Sequence, residues 1–293
     1  MIDQASELRQ LVQQWENGTD TPECAAPRII AVTGGKGGVG TTTVAIQLAT
    51  AMTRQSDRVL LVDADPDRTD VATLCGIEPR RDLADLAQGR RPLDAVVMPG
   101  PHGVSVIGGT PALPQGEPSI DRFHRHWIAA VLNAPDPFDY VIVDTGNGSS
   151  ESVKKLWEVA ELVLLVTTPE LPSVLDAYAS VKTLADRSCP PSIHTLINQN
   201  NEPATAYDVH GRLARAVWRF LGFHLDSAGH IGLDSPETMA QSDSPLSRDF
   251  GQLARTVRTS LRELARRRAV AFENELFLAE RKDTQEAEET TAL

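Results

Sequence analysis

The stretch that most restricts the fold is Gly34–Thr43, GGKGGVGTTT. It lies between an apolar run, RIIAVT, and a stretch of helical periodicity, TTTVAIQLATAMTR. A glycine-rich turn joining a buried strand to a helix N-terminus aims backbone N–H groups at one point, a geometry that binds phosphate. The phosphate-loop pattern G-x-x-x-x-G-K-[ST] is met by Gly35, Gly40 and Thr42, but Thr41 stands where the pattern has lysine. Gly35, Gly37, Gly38 and Gly40 permit the tight turn and a close backbone approach to phosphate. Thr42 stands where a hydroxyl would ligate Mg2+. Losing the lysine removes a charged hydrogen bond worth about 1.5–3 kcal/mol, so nucleotide binding is expected to weaken.

The same letters fit a second template. GKGGVG matches G-x-G-x-x-G, and Asp63 closes the next strand about 20 residues on, where a dinucleotide site places its ribose-binding acid. Three features favour a phosphate loop over that Rossmann reading. The loop keeps Gly34, Lys36 and the Thr42–Thr43 pair, which a pyrophosphate site does not need. The second strand ends in two carboxylates, Asp63 and Asp65, where one would serve a ribose. A third, Asp144, ends the run YVIVD and is placed like a metal-binding acid. Acids at several strand ends around one phosphate loop suit Mg2+ and water better than nicotinamide.

Beyond the loop, β-branched and leucine-rich runs (RVLLVDAD, VSVI, YVIVD, LVLLVTT, IHTLIN) alternate with helical stretches, and HIGLD reads as a further short strand. Alternation of this kind predicts an α/β fold, a mainly parallel doubly wound sheet covered on both faces. Residues 3–16 carry Ala5, Leu8, Leu11, Val12 and Trp15 at helical spacing, with Asp3 as N-cap, and NGTDTPECAAP follows as a linker. The expected organisation is a helix over 1–16, a linker over 17–27, a nucleotide-binding domain over 28–270 and a helix end with acidic tail over 271–293. The last helix is expected from about Ser247 to Lys282, with the tail KDTQEAEETTAL disordered.

Total composition excludes several classes. The 293 residues suffice for one large domain with extensions or for two small ones. Three scattered cysteines, Cys24, Cys75 and Cys189, read as free thiols of a reducing, cytoplasmic compartment. The N-terminus lacks the apolar core of a signal peptide, and no apolar run has membrane-span length. A net charge of −12 argues against a general nucleic-acid surface.

Taken together, Lys36-Gly37-Gly38-Val39-Gly40-Thr41-Thr42, Asp63-Ala64-Asp65, DTGNG from Asp144, and Asn198 resemble the MinD/ParA family of ATPases with a deviant phosphate loop. The resemblance covers residues 28–260 and implies ATP and Mg2+ as cofactors. It assigns Lys36 to a nucleotide held by a second copy across an ATP-bound homodimer. It also gives Asp63 and Asp144 to the Mg2+ shell, Asp65 to the attacking water and Asn198 to adenine. DQASELR (Asp3–Arg9), VTTPELPSVLDAYASVKTL and RLARAVWRFLG are similar to the FlhG branch (FleN, YlxH), regulators of flagellar number and placement. That branch implies docking of Asp3, Gln4, Ala5, Leu8 and Arg9 on an FlhF-type GTPase, with Gln4 inserted toward its nucleotide.

Two departures from the family matter. Thr41 replaces the loop lysine, which puts hydrolysis in question and leaves two functions open: a nucleotide-switched dimer with slow turnover, or a degenerate nucleotide-binding scaffold, including one of the CpaE-like localising kind. The C-terminal helix, basic and membrane-seeking in the family, here has its apolar side (Leu261, Leu264, Ala265, Phe272, Leu276, Ala279) interrupted by Arg268 and Glu275. Packing on the domain is therefore preferred to a peripheral place at the inner face of the cell membrane.

Overall fold

The computed structural model describes residues 26–78, 80–110, 116–148, 150–185, 191–233 and 244–291. The expected N-terminal helix and most of its linker, with Asp3, Gln4, Ala5, Leu8 and Arg9, lie outside the described residues, as do Cys24 and Cys189.

The chain opens with β1 (Arg28–Gly34), the glycine loop, α1 (Thr41–Thr53) and β2 (Val59–Asp63). Short helices α2 (Val71–Leu74), α3 (Leu83–Ala87) and α4 (Leu93–Val96) lead to β3 (Met98–Pro99) and β4 (Ser105–Ile107). There follow α5 (Glu117–Leu132), β5 (Tyr140–Asn147), α6 (Glu151–Val159), β6 (Leu162–Thr167) and α7 (Leu171–Ala185). β7 (Ser192–Ile197), α8 (Pro203–Leu221), β8 (Asp226–His230) and α9 (Pro245–Thr291) complete the order.

The eight strands lie in the order β3-β4-β2-β5-β1-β6-β7-β8. Every pairing is parallel except β3 with β4. The apolar runs are buried along their whole length, as in β2 and β6, because helices cover both faces of the sheet. Side chains alternate between two cores. Ile29 and Ala31 face the layer of α3, α5, α6, α7 and α8, with Trp127 and Trp157 at its centre. Ile30 and Val32 face the layer of α1 and α9. Since β1 is central and flanked by β5 and β6, the loop that follows it opens at the C-terminal edge of the sheet, where open α/β sheets bind ligands.

Two expectations are corrected. The strand expected at HIGLD lies earlier, at Asp226–His230, where it pairs with β7. It is an edge strand, DSAGH, with only Ala228 buried, so it has no apolar run to betray it. The last helix does not stop at Lys282: its backbone is helical through Thr291, the added stretch DTQEAEETT containing neither glycine nor proline to end it. Its first turns lie on the domain, burying Leu246, Phe250, Leu253, Ala254, Val257 and Leu261 as one stripe against the α1 layer. Arg258 anchors it further, donating to Met52 O, Gln55 Oε1 and Asp57 at the C-terminal end of α1. No helix among the described residues is long and apolar enough to cross a membrane.

Candidate nucleotide site

The loop is held from three directions. Val39 is buried in the α1 core and pins the turn from beneath. Gly35 packs on α7 so closely that a Cβ there would lie 2.5 Å from Ala177 N, so only glycine fits. From β7, Asn198 Nδ2 donates to Val39 O at 2.8 Å and Gln199 Nε2 to Gly38 O at 3.3 Å. Gly40 takes φ +90° at the junction with α1, a conformation costly for a side chain, and a Cβ would also meet Asn198 Nδ2 at 2.5 Å. Because Gly40 caps α1 with no side-chain bond, the N–H groups of the first turn, Thr41, Thr42 and Thr43, remain available to an anion. Thr41 itself is buried, its Oγ1 lying 2.6 Å from where a Cβ on Gly34 would sit.

On the other side stand the acids. Asp63 and Asp144 occupy paired positions, Asp63 as the last residue of β2 and Asp144 inside β5, which continues beyond the expected end of its apolar run to Asn147. Asp63 accepts from the backbone N–H of Val71 and Asp65. Burial, then the neighbouring charge of Asp144, pushes its pKa up to about 8. Asp144 is held by the Thr42 hydroxyl and by Gly146 N–H, yet burial raises it to about 6. Its Oδ2 is fully buried and has no hydrogen-bond partner. Asp65 accepts from the N–H groups of Asp67 and Arg68, and burial raises its pKa. Closely spaced carboxylates of this kind are stable as anions only beside a cation.

These residues fit a divalent ion: a hydroxyl, an unpartnered carboxylate oxygen and two further acids lie at the mouth of an anion-binding loop. Among the described residues no three His, Cys, Asp or Glu side chains form a metal cage by themselves. A Mg2+ ion here would thus take most of its ligands from phosphate and water.

The sequence-predicted residues therefore converge, with three qualifications. Lys36, expected to point across a dimer, pairs within its own chain, its Nζ 3.5 Å from Glu170 Oε2. Asn198, expected at adenine, has its amide on the loop carbonyl of Val39. The GTPase-docking residues fall outside the described part. Glu170 and Gln199 were missed; both lie in the loops that leave β6 and β7, within three residues of the strand ends, and that position was the available signal.

A glycine loop that leads from the central strand into α1, flanked by acids on neighbouring strand ends, defines a nucleotide-binding domain of the P-loop NTPase class. Within that class, the chain belongs to the CobQ/CobB/MinD/ParA nucleotide binding domain family, which it matches over residues 30–290. It is 36% identical over 210 residues to the antiactivator FleN of Pseudomonas aeruginosa, spanning 71% of this chain and 74% of FleN. It is 27% identical to the flagellum site-determining protein YlxH of Helicobacter pylori over 53% of each chain. With the septum site-determining protein MinD of Thermotoga maritima it shares 28% identity over 78% of this chain and 88% of MinD. Among solved structures, the cell division ATPase MinD of Pyrococcus furiosus superposes with a TM-score of 0.63 at 21% identity, over 79% of this chain and 98% of MinD. MinD of Pyrococcus horikoshii, complexed with Mg-ADP, gives 0.60 at 20% identity over 79% and 96% of the respective chains. At those identities the structures establish the fold.

Proposed function

We propose that the protein is an ATP-binding, dimerising switch of the FleN and FlhG kind that sets flagellar number or placement. The loop from Gly35 to Thr43 binds the phosphates through its N–H groups, and Thr42, Asp63 and Asp144 hold the Mg2+ end of the site. When bound, Mg2+ supplies the positive charge that offsets the β- and γ-phosphates. Asp65 orients the attacking water. Lys36 leaves Glu170 and reaches the nucleotide of a second copy, and a cation supplied in trans can stabilise phosphoryl-transfer charge. Without the loop lysine, turnover is slow. Residues 3–9 stimulate an FlhF-type GTPase. The flagellar part of this reading is supported by the 36% identity to FleN.

The observation that carries the nucleotide reading is the contact of Thr42 with Asp144 beside the unpartnered Asp144 Oδ2. That arrangement supports a metal end to the site even though Thr41 stands in place of the lysine. Calorimetry and light scattering with Mg2+ and ATP test this on wild type and Thr41→Lys. Wild type is expected to bind ATP and dimerise, with faster hydrolysis in Thr41→Lys. A second reading, a degenerate scaffold, is favoured by Thr41 itself, and it gains the argument if only Thr41→Lys binds.

A further inference from the structure

Charge is badly out of balance at this site. Asp63 ends β2, Asp65, Asp67 and Asp70 follow it, and Asp144 stands beside them on β5. They are near enough that, besides burial, their charges raise the pKa of Asp63, Asp65 and Asp144, and a nucleoside triphosphate would add more negative charge. The usual loop cation is gone at Thr41, and Lys36, paired with Glu170 in the single chain, serves the nucleotide of a second copy in the reading above, not its own. One further cation starts at the rim of the site. Arg68 lies three residues beyond Asp65, and its backbone N–H donates to Asp65 Oδ1 at 3.1 Å, next to the 2.8 Å bond from Asp67 N–H. That turn is therefore folded onto the carboxylate. Asp65 in turn presses against the end of β5: a Cβ on Gly146 would lie 2.1 Å from Asp65 Oδ2. Gly146 is two residues from Asp144, so the turn carrying Arg68 is locked to the Mg2+ end of the site. The Arg68 side chain is exposed, and among the described residues it enters no ion pair. A cation at the edge of five carboxylates that pairs with none of them is free to meet an incoming anion.

Resting on the nucleotide reading above, we propose that Arg68 supplies the cation that Thr41 no longer does. Its guanidinium binds the terminal phosphate of a nucleoside triphosphate, beside the water that Asp65 orients. A guanidinium suits the role: it stays charged at any physiological pH and can give two parallel N–H bonds to a phosphate. The role is also distinct from that of a loop lysine. A cation on the Asp65 side meets the γ-phosphate and leaves the diphosphate untouched. Arg68 thereby makes this site selective for the triphosphate over the diphosphate. A purely local role, neutralising Asp67 and Asp70 in the same turn, is the alternative it competes with.

The test is calorimetry on the full chain with Mg2+, using the slowly hydrolysed ATPγS and, separately, ADP. Arg68→Ala is expected to weaken ATPγS binding about tenfold or more, the loss of a charged hydrogen bond, and to change ADP binding less than about twofold. Arg68→Lys should fall between, and Thr41→Lys added to Arg68→Ala should restore ATPγS affinity. If Arg68→Ala binds ATPγS like wild type, or loses ATPγS and ADP alike, the proposal is overturned and the nucleotide reading stands. If wild type binds neither nucleotide, both fall together. Because Arg68 is exposed, its replacement leaves folding intact, and the thermal midpoint of each variant verifies that.

Discussion

The two flanks of the glycine loop are built on opposite principles. Toward β2 and β5, the strand ends carry Asp63, Asp65 and Asp144, buried acids that crowd one another and leave one oxygen without a partner. Toward β6 and β7, the strand ends carry Glu170, Asn198 and Gln199, whose polar groups are spent on the loop itself through Lys36, Val39 and Gly38. One flank is incomplete until something cationic arrives. The other is satisfied as it stands and acts as a clamp. The contrast teaches that the loss of the lysine at Thr41 touched only the part of the site whose charge comes from the loop. The acid flank and the clamp were left whole.

The sharpest break of that comparison is Asp144→Asn. If the acid flank is incomplete by construction, removing its charge should help the empty protein and harm the loaded one. Affinity for Mg2+ and ATP is expected to fall roughly a hundredfold. Meanwhile the nucleotide-free protein gains about 2 kcal/mol at pH 8, since burial penalises the carboxylate more than its two hydrogen bonds repay. Titration of nucleotide and urea unfolding read the two signs separately, and a loss of both would mean that Asp144 simply packs.

Acid offers a second way to separate the flanks, through α5, the helix that precedes β5. His124 is buried; Trp127 Nε1 donates to its Nδ1 at 3.0 Å, and its Nε2 meets Ser152 Oγ of α6 at 2.9 Å. With Nδ1 already accepting, the ring must stay neutral, and burial lowers its pKa to about 4. The unfolded chain takes up this proton first, as pH drops below about 6.5. Stability is therefore complete above that pH and is lost progressively toward 4. The cost is about 2 kcal/mol at pH 5. Unfolding curves at pH 7.5 and 5 should show that loss in wild type and not in His124→Gln; an equal loss in both would assign it to other groups.

The clamp yields the smallest effect. Asn198→Ala removes one bond to the loop and is expected to cost about 1 kcal/mol, with nucleotide affinity reduced about fivefold by the loosened turn. Should affinity collapse as completely as in Asp144→Asn, Asn198 contacts the nucleotide directly and the flank is no mere clamp.

The acid flank was legible in the sequence because it obeys a spacing rule. Asp63 and Asp144 are each the first charge after an apolar run buried on both faces, although β5 itself continues past Asp144 to Asn147. The clamp was only half legible. Asn198 stood out, but its hydrogen bond to Val39 depends on β6 and β7 lying next to the loop, which is a matter of strand order and not of local pattern. Glu170 and Gln199 have no code beyond their place after a strand. The parallel, doubly wound sheet was clear from the alternation of runs. β8 was not, because an edge strand needs no apolar face and DSAGH has none.

The grip of α9 on α1 has a mechanical consequence. The thirteen residues of α1 form a rod about 20 Å long. One end begins at the glycine loop; the other is fastened by Arg258 through Met52, Gln55 and Asp57. A hydrogen-bonded helix neither stretches nor shortens appreciably, so it transmits axial displacement like a strut. Any shift of its first turn when the loop closes around an anion is delivered at the far side of the molecule, where the C-terminal helix is bolted on.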